Sequence, residues 1–240
     1  MRFNFYSLLI ITLFLSLSCD KDNPVSTPPT RSIAIYEYGS GIDSAYYKEW
    51  SDGSWERFNR ILTINEKLYI TIITSDSFEY YYGFDGYAGF KPKDEPIILF
   101  DSVMTTIPDT LIFGKTYTTG TTFWVDGFQY TITNEQSIQD TMSVTVPVGN
   151  FSSCLWLKIK STISVADQSQ TSTGQVWLAK GPGDIKQVLN SGATIEMVGG
   201  VVNGISWGSS FAKKHISNIA GINIQFLNRI QKDVLHKFIK

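Results

Sequence analysis

The feature that most constrains this fold is a succession of apolar runs separated by short turn signals, from about residue 31 to residue 205. The runs, such as Lys67–Thr74, are rich in β-branched and aromatic residues, and none has a convincing helical period. The turn signals are Asp52-Gly53, Asp85-Gly86, Asp126-Gly127, Gly181-Pro182-Gly183 and Ser191-Gly192. Asp-Gly between apolar runs favours a tight hairpin, because glycine accepts a positive φ. The pattern therefore predicts an antiparallel meander.

The number of runs indicates the architecture. We count about ten to twelve short strands, and a single sheet of that size tends to curl on itself or split in two. One run, residues 152–165, predicts a long strand with Leu155 and Leu157 on one face and Trp156 and Lys158 on the other. We therefore predict an all-β fold, a curved antiparallel sheet in the form of a half-barrel, a barrel or a sandwich.

The first residues have the pattern of a secretory signal peptide. Arg2 supplies a positive charge, and the apolar core at residues 8–17 is too short to span about 30 Å of hydrocarbon as a helix. The core leads into Leu-Ser-Leu-Ser-Cys, which resembles the lipobox of bacterial lipoproteins, with Ser16 where that motif usually has Leu. We predict a lipoprotein signal peptide over residues 1–18 and acylation of Cys19, for example by palmitate. Ordinary cleavage and an uncleaved anchor are the alternatives.

The segment that follows predicts a membrane tether. Residues 19–31 begin with the predicted lipidated Cys19 and continue as a polar, Pro-rich linker without apolar periodicity. Two or more acyl chains anchor a protein more firmly than one. Asp20 and Asp22 resemble sorting determinants whose meaning depends on the host. We expect a cell-envelope protein anchored to a membrane, the outer membrane in our prediction, with the periplasmic or surface face left open.

Charge and residue usage exclude several classes of function. The net charge of −2 argues against a nucleic-acid-binding protein. His215 and His236 are the only histidines, so residues 1–210 lack an imidazole for a Ser-His or Cys-His pair or for a His-based zinc site. Cys19 and Cys154 cannot form a Cys-x-x-Cys motif. Cys154 is expected to be a small buried hydrophobic residue, and no cofactor is predicted.

Clustered acids and glycines are better explained by loops than by catalysis. Five acids could suggest calcium binding or a carboxylate pair: Asp76, Glu79, Asp85, Asp94 and Glu95. No Asp-x-Asp-x-Asp-Gly run occurs, and charged loop residues that keep sheet edges soluble are a simpler interpretation. Gly181-Pro182-Gly183 is followed by a strand-like pattern, which favours a turn over a phosphate-binding loop. We therefore predict no metal site and no enzymatic activity.

Three motifs carry a family resemblance. Residues 146–151 read Val-Pro-Val-Gly-Asn-Phe, residues 177–183 read Trp-Leu-Ala-Lys-Gly-Pro-Gly, and residues 107–117 include a Pro and a later Gly and Tyr. In this order they resemble motifs of uncharacterised bacterial envelope lipoproteins, the TapB-like or DUF3108-like group. The chain departs from those motifs at Val148 and Asn150, and at the Pro within the glycine pair. The resemblance implies a curved sheet like the half-barrels of lipoprotein carriers, without known catalytic residues.

Aromatic residues are the main candidates for ligand binding. Residues 78–90 contain seven aromatics in thirteen positions, and tryptophans recur on the predicted strands. We name as candidate ligand-lining residues Tyr80, Tyr82, Trp124, Trp156 and Trp177. Such side chains can line an apolar cavity or stack on sugar rings, and they can equally fill a core.

The C-terminal segment differs from the rest in charge and in periodicity. Residues 211–240 have six Lys or Arg and one acid, while the β domain predicted over residues 32–210 is acidic. Ile222, Phe226 and Ile230 recur every fourth residue, which predicts a basic amphipathic helix of about 17 residues. It could pack on its own domain, contact an anionic membrane or stay loosely ordered.

These observations lead to ranked expectations of function. The first is a membrane-anchored envelope lipoprotein whose domain is a non-enzymatic, carrier-like module for a hydrophobic ligand. The second is a structural or protein-interaction lipoprotein with a filled core, or a glycan-binding module. The third is a carbohydrate-processing enzyme with a carboxylate pair. Expected partners are the membrane, through Cys19, and a hydrophobic ligand or an envelope protein.

Overall fold

The regular elements within the described part of the chain are antiparallel strands. The computed structural model describes residues 30–34, 38, 40–42, 46–83, 86–104, 110–208 and 222–224. The strands are β1 Ser32–Ala34, β2 Ser40–Ile42, β3 Tyr47–Trp50, β4 Trp55–Ile64, β5 Lys67–Thr74, β6 Glu79–Gly83, β7 Gly86–Lys91, β8 Ile98–Met104, β9 Thr110–Ile112, β10 Thr116–Val125, β11 Phe128–Val146, β12 Gly149–Val165, β13 Gln168–Ala179, β14 Gly183–Leu189, β15 Thr194–Val202, β16 Ile205–Trp207 and β17 Ile222–Ile224.

Twelve of these strands close into an antiparallel barrel. Its order follows the chain from β3 to β15, except that β8 pairs directly with β10 and leaves out β9. Strand β15 pairs with both β14 and β3, and these two pairings close the ring. Strand β16 adds to β15, and two small ribbons pair β1 with β9 and β17 with β2. The predicted all-β, curved antiparallel fold is confirmed.

The predicted turn signals connect neighbouring strands of the barrel. The Asp126-Gly127 turn joins β10 to β11 with φ values of 50° and 81°. Positive φ at both central residues matches the right-handed twist of a two-residue hairpin. The turns at Gly53, Pro182 and Gly192 likewise separate consecutive strands, whereas Asp85 lies outside the described residues.

The two longest strands are β11, with 19 residues, and β12, with 17. Strand β12 is longer than the strand predicted over residues 152–165, and β11 is longer than the short strands predicted elsewhere. The predicted alternation on β12 is confirmed from Leu155 to Ile163, where every second side chain is buried. It ends at Ser153, whose φ of 55° interrupts the regular strand geometry. Cys154 and Leu155 are consequently both buried, and burial raises the pKa of the Cys154 thiol. The prediction that Cys154 is buried is confirmed.

The buried side chains that the structure describes form one large cluster and two smaller ones. The large cluster combines residues of the neighbouring strands β3 and β15 with residues of β10, which lies on another part of the ring, so these side chains meet inside the barrel. A second cluster joins Tyr38 and Leu111 to Ile138, Leu155 and Leu157, so the ribbon that contains β9 packs against β11 and β12. The Tyr38 hydroxyl donates a hydrogen bond to the Ser153 carbonyl at 3.0 Å.

Several predictions concern residues that the structure does not describe. Cys19, the signal peptide and almost all of the tether lie outside the described residues, as does most of the C-terminal segment. Within the predicted helix, Ile222–Ile224 instead form β17, which pairs with Ser40–Ile42. Chain contacts divide the protein into two units, 1–31 and 32–240, and all strands belong to the second. Among the described residues, no helix has the length and apolar character needed to cross a membrane.

Candidate functional site

The inside of the barrel is lined by aromatic rings. The hairpin of β6 and β7 contributes Tyr82 and Tyr87, whose ring centroids are 5.6 Å apart. The Tyr87 ring lies edge-on to Phe100 at 4.8 Å, and Phe100 lies 5.5 Å from Phe123. These edge-to-face and tilted arrangements are the ones that ring quadrupoles favour. The aromatic cluster therefore forms one continuous surface across strands β6, β7, β8 and β10.

The five candidate ligand-lining residues occupy three environments. Tyr80 and Tyr82 are buried in the large cluster, and Trp177 is buried in it as well. Trp156 is partly buried and packs against the same cluster. Trp124 is 55% exposed, because it follows the fully buried Phe123 and successive side chains of a strand point to opposite faces. The structure thus brings Tyr80 and Tyr82 together and leaves Trp124 apart.

Trp156 and Trp177 form a stacked pair on β12 and β13. They are register partners, with ring centroids 6.2 Å apart and an interplanar angle of 2°. The Lys158 and Lys186 ammonium groups each lie 5.8 Å from the centroid of one ring, Trp156 and Trp177 respectively. Trp156 also donates a hydrogen bond to Gln175 at 2.9 Å. These contacts indicate a cross-strand packing role for the pair.

A buried ion pair lies beside the aromatic cluster. Lys48 on β3 is fully buried, and its ammonium group donates to the carboxylate and to the backbone carbonyl of Asp184 on β14. Gln187 donates from Nε2 to the other Asp184 oxygen at 2.9 Å. Lys48 shares the strand face of Tyr46 and Trp50, and its Nζ lies 5.7 Å from the Trp50 ring. The ion pair therefore lies among aromatic side chains.

A second polar contact adjoins this pair. The Tyr46 hydroxyl donates to Glu56 at 2.7 Å. Burial raises the pKa of Tyr46 well above its ordinary value, and the negative charges of Glu56 and Asp184 raise it further. Because Asp184 acts on Tyr46, the two contacts belong to one neighbourhood. We define the buried polar cluster as Tyr46, Lys48, Glu56, Asp184 and Gln187; it has two carboxylates and one ammonium group.

Two buried atoms, one within this cluster and one on the neighbour of Tyr82, lack a hydrogen-bond partner among the described residues. One is Oε1 of Gln187, which is 1% exposed, and the other is the hydroxyl of Tyr87, which is fully buried. Burial raises the pKa of Tyr87 well above its ordinary value, so its phenol stays neutral. A buried polar atom without a partner costs about 1–3 kcal/mol. A water molecule or a ligand atom at these positions would remove that cost.

Sequence reasoning did not identify the buried polar cluster, although one signal was present. Tyr46, Lys48 and Trp50 alternate along β3, so Lys48 lies on an aromatic strand face. The position of Asp184 had no comparable signal, because a register shift in the pairing of β13 with β14 decides its direction. Glu79, one of the acids that sequence reasoning did consider, has other partners. Glu79 accepts hydrogen bonds from Tyr81 at 2.8 Å and Asn59 at 3.1 Å.

The arrangement suits binding by shape and hydrogen bonding. Ligand sites are mostly apolar and aromatic, with a few precisely placed polar groups. The barrel has that composition where Tyr82 and Tyr87 approach the buried polar cluster. Within the described part of the chain, no group of three or more His, Cys, Asp or Glu residues could hold a metal ion.

Comparisons with known proteins found distant structural neighbours. No family model and no curated protein matches the chain. The hypothetical lipoprotein YmcC of Escherichia coli is 13% identical, with a TM-score of 0.35, over 82% of this chain and 96% of that one. A candidate lipoprotein from Parabacteroides distasonis is 10% identical, with a TM-score of 0.32, over 67% and 94%. A candidate exported protein with a YmcC-like fold from Bacteroides fragilis is 11% identical, with a TM-score of 0.29, over 67% and 97%. This degree of similarity establishes neither a shared family nor a shared function.

Proposed function

We propose that the protein is a membrane-anchored envelope lipoprotein whose barrel is a non-enzymatic binding module for a hydrophobic ligand. The lipobox-like segment that ends at Cys19 and the polar linker after it support the anchor. The observation that carries the binding role is the buried polar cluster beside an aromatic lining, where one atom of Gln187 and one of Tyr87 have no hydrogen-bond partner among the residues that the structure describes. Few polar groups in an aromatic surround are the usual composition of a small-molecule site.

The barrel geometry supports a ligand of small-molecule size. An eight-stranded barrel has an interior that side chains fill or that holds one small ligand, and the diameter grows with strand number. By this relation a ring of twelve strands allows a wider interior than one of eight. The side chains of Phe90, Phe100 and Phe123 lie in the large buried cluster and are apolar. A ligand that contacts them should therefore be mostly apolar as well.

The second candidate function is a structural or protein-interaction role, in which the barrel is filled by its own side chains. The packing of the aromatic rings favours this candidate. Phe90 lies 5.4 Å from Phe123 and 5.9 Å from Phe100, so these three rings already pack on each other. A barrel filled by its own side chains would serve as a structural or protein-interaction module of the envelope.

Native mass spectrometry of the protein purified from its host distinguishes the two functions. A co-purifying apolar molecule, released when the barrel is denatured, is the expected result. A mass that equals the processed and acylated chain alone would contradict the binding role and favour the filled core. Inorganic and detergent adducts are controlled by a second purification in a different detergent.

The membrane anchor has its own test. Replacing Cys19 with Ala should abolish incorporation of labelled fatty acid and release the protein from the membrane fraction, because no acyl chain is then attached. Cys154→Ala is the matched control, since this buried thiol is the other cysteine of the chain. Retention of the Cys19→Ala variant in membranes would contradict the anchor.

A further inference from the structure

We propose that the ligand of this barrel has a hydrogen-bond-donating head group, a hydroxyl or an amine on an apolar chain, and that Gln187 receives it. This inference rests on the proposed binding function and specifies its ligand class. It starts from the orientation of one buried amide. Gln187 is 1% exposed, and its Nε2 donates to Asp184 at 2.9 Å.

The carboxylate of Asp184 fixes which way the Gln187 amide faces. Turning the amide over would place Oε1 against a carboxylate oxygen, an acceptor against an acceptor, and would lose the Nε2 hydrogen bond. Oε1 is therefore held away from Asp184, and it has no hydrogen-bond partner among the described residues. Only a donor can satisfy that atom. A carboxylate, phosphate or sulfate oxygen cannot.

The charges of the neighbourhood favour the same ligand class. Lys48 already donates to two oxygens of Asp184, and Glu56 adds a second carboxylate. Beside the buried Asp184 and the half-buried Glu56, an anionic head group would add like charge, whereas a neutral hydroxyl adds no charge and an ammonium group adds one opposite in sign to both carboxylates. The Tyr87 hydroxyl, which also lacks a partner in the described part of the chain, can donate to a ligand hydroxyl or accept from an amine.

The apolar part of the ligand would lie along the aromatic lining. Tyr82 connects the two regions: its ring is 5.6 Å from Tyr87, and it belongs to the same buried cluster as Tyr46. Phe100 continues the apolar surface beyond Tyr87 at 4.8 Å. A linear alkyl chain with a terminal donor has this division into a polar end and an apolar body.

The test compares three ligands with the same alkyl chain: decanol, decylamine and decanoate. The full chain with Cys19→Ala is titrated with each, and tryptophan fluorescence is followed, because Trp50 lies next to Lys48. We expect decanol and decylamine to bind more tightly than decanoate by about tenfold. This factor corresponds to the loss of one hydrogen bond or to one repulsion between carboxylates. Equal affinities would overturn the inference that the head group donates a hydrogen bond, and would leave the proposed function intact. No binding of any of the three would contradict both the inference and the proposed function.

Variants show whether Gln187 is the acceptor. Gln187→Met should weaken decanol binding by about two- to tenfold and leave decanoate binding unchanged, since Met has no amide oxygen. Gln129→Met is the matched control on an exposed position of β11 and should change neither affinity. Tyr87→Phe keeps the ring and removes the hydroxyl, so it provides a second readout if Gln187→Met fails to fold. An unchanged preference for decanol in both variants would overturn the assignment.

Discussion

Among single residues, Lys48 has the largest predicted effect on stability. Its ammonium group and the Asp184 carboxylate are both buried, so removing one partner leaves an uncompensated charge. We predict that Lys48→Met lowers the free energy of unfolding by about 3–5 kcal/mol. Lys48→Met with Asp184→Asn should cost clearly less than the sum of the two single changes, because no charge is then left unpaired.

Urea denaturation of the four proteins in this cycle measures the coupling. Lys160→Met is the matched control: its salt bridge with Glu135, at 2.6 Å, is surface-exposed, and such a pair contributes about 0–1 kcal/mol. Equal effects of Lys48→Met and Lys160→Met would show that the Lys48 ion pair is hydrated in solution.

The buried phenols determine how stability changes at high pH. Burial raises the pKa values of Tyr46, Tyr80 and Tyr87 above the ordinary value of 10.0. The unfolded chain loses these protons first, so the stabilisation is complete below pH 10 and is lost as pH rises toward the folded-state pKa values. We predict that the tyrosinate absorbance of these residues appears only together with loss of the β-sheet circular dichroism signal.

Phenylalanine variants identify the residues responsible for that behaviour. The triple variant with Phe at 46, 80 and 87 should lose less stability between pH 9 and pH 12 than the parent, about the range in which free phenols titrate. Tyr130→Phe, at a partly buried position on β11, is the comparison. A gradual tyrosinate titration of the folded protein, without loss of sheet signal, would contradict the prediction.

At the scale of elements, two glycines test what holds neighbouring strands in place. Gly89 on β7 lies so close to β8 that a Cβ atom would overlap the carbonyl oxygen of Ile98. Gly127, in the β10–β11 turn, has open space but a φ of 81°. We predict that Gly127→Ala costs about 1–2 kcal/mol, the penalty of a left-handed alanine, and that Gly89→Ala costs more, because two strands must separate. Thermal unfolding of both variants gives the order, and a reversed order would refute the argument.

The long hairpin of β11 and β12 shows why local patterns predict faces only over part of a strand. From Leu155 to Ile163 the pleat alternates strictly, and the sequence pattern assigns each face. Register shifts after Ile138 and after Met142 insert extra residues, and each shift reverses the faces beyond it. The local residue pattern does not mark these positions, because the position of a bulge depends on how the whole sheet bends.

For the whole molecule, the C-terminal segment tests how far the barrel is self-sufficient. The ring is closed by pairings among β3, β14 and β15, none of which involves residues 212–240. We predict that deleting residues 212–240 leaves the β-sheet circular dichroism signal and a cooperative thermal transition. Strand β2 would lose its partner β17 without opening the ring. Complete unfolding of the truncated chain would show that the segment is part of the core.

By itself, the sequence determined the strand content, the hairpin turns and the antiparallel order, because β-propensity, alternation and Asp-Gly chemistry act over a few neighbouring residues. It also placed Tyr80 and Tyr82 in an aromatic-rich hairpin. Only the tertiary structure decided that β15 closes the ring against β3 and that Lys48 meets Asp184, 136 residues later in the chain. Such contacts depend on the curvature and register accumulated over every intervening strand, and no short window of residues encodes that sum.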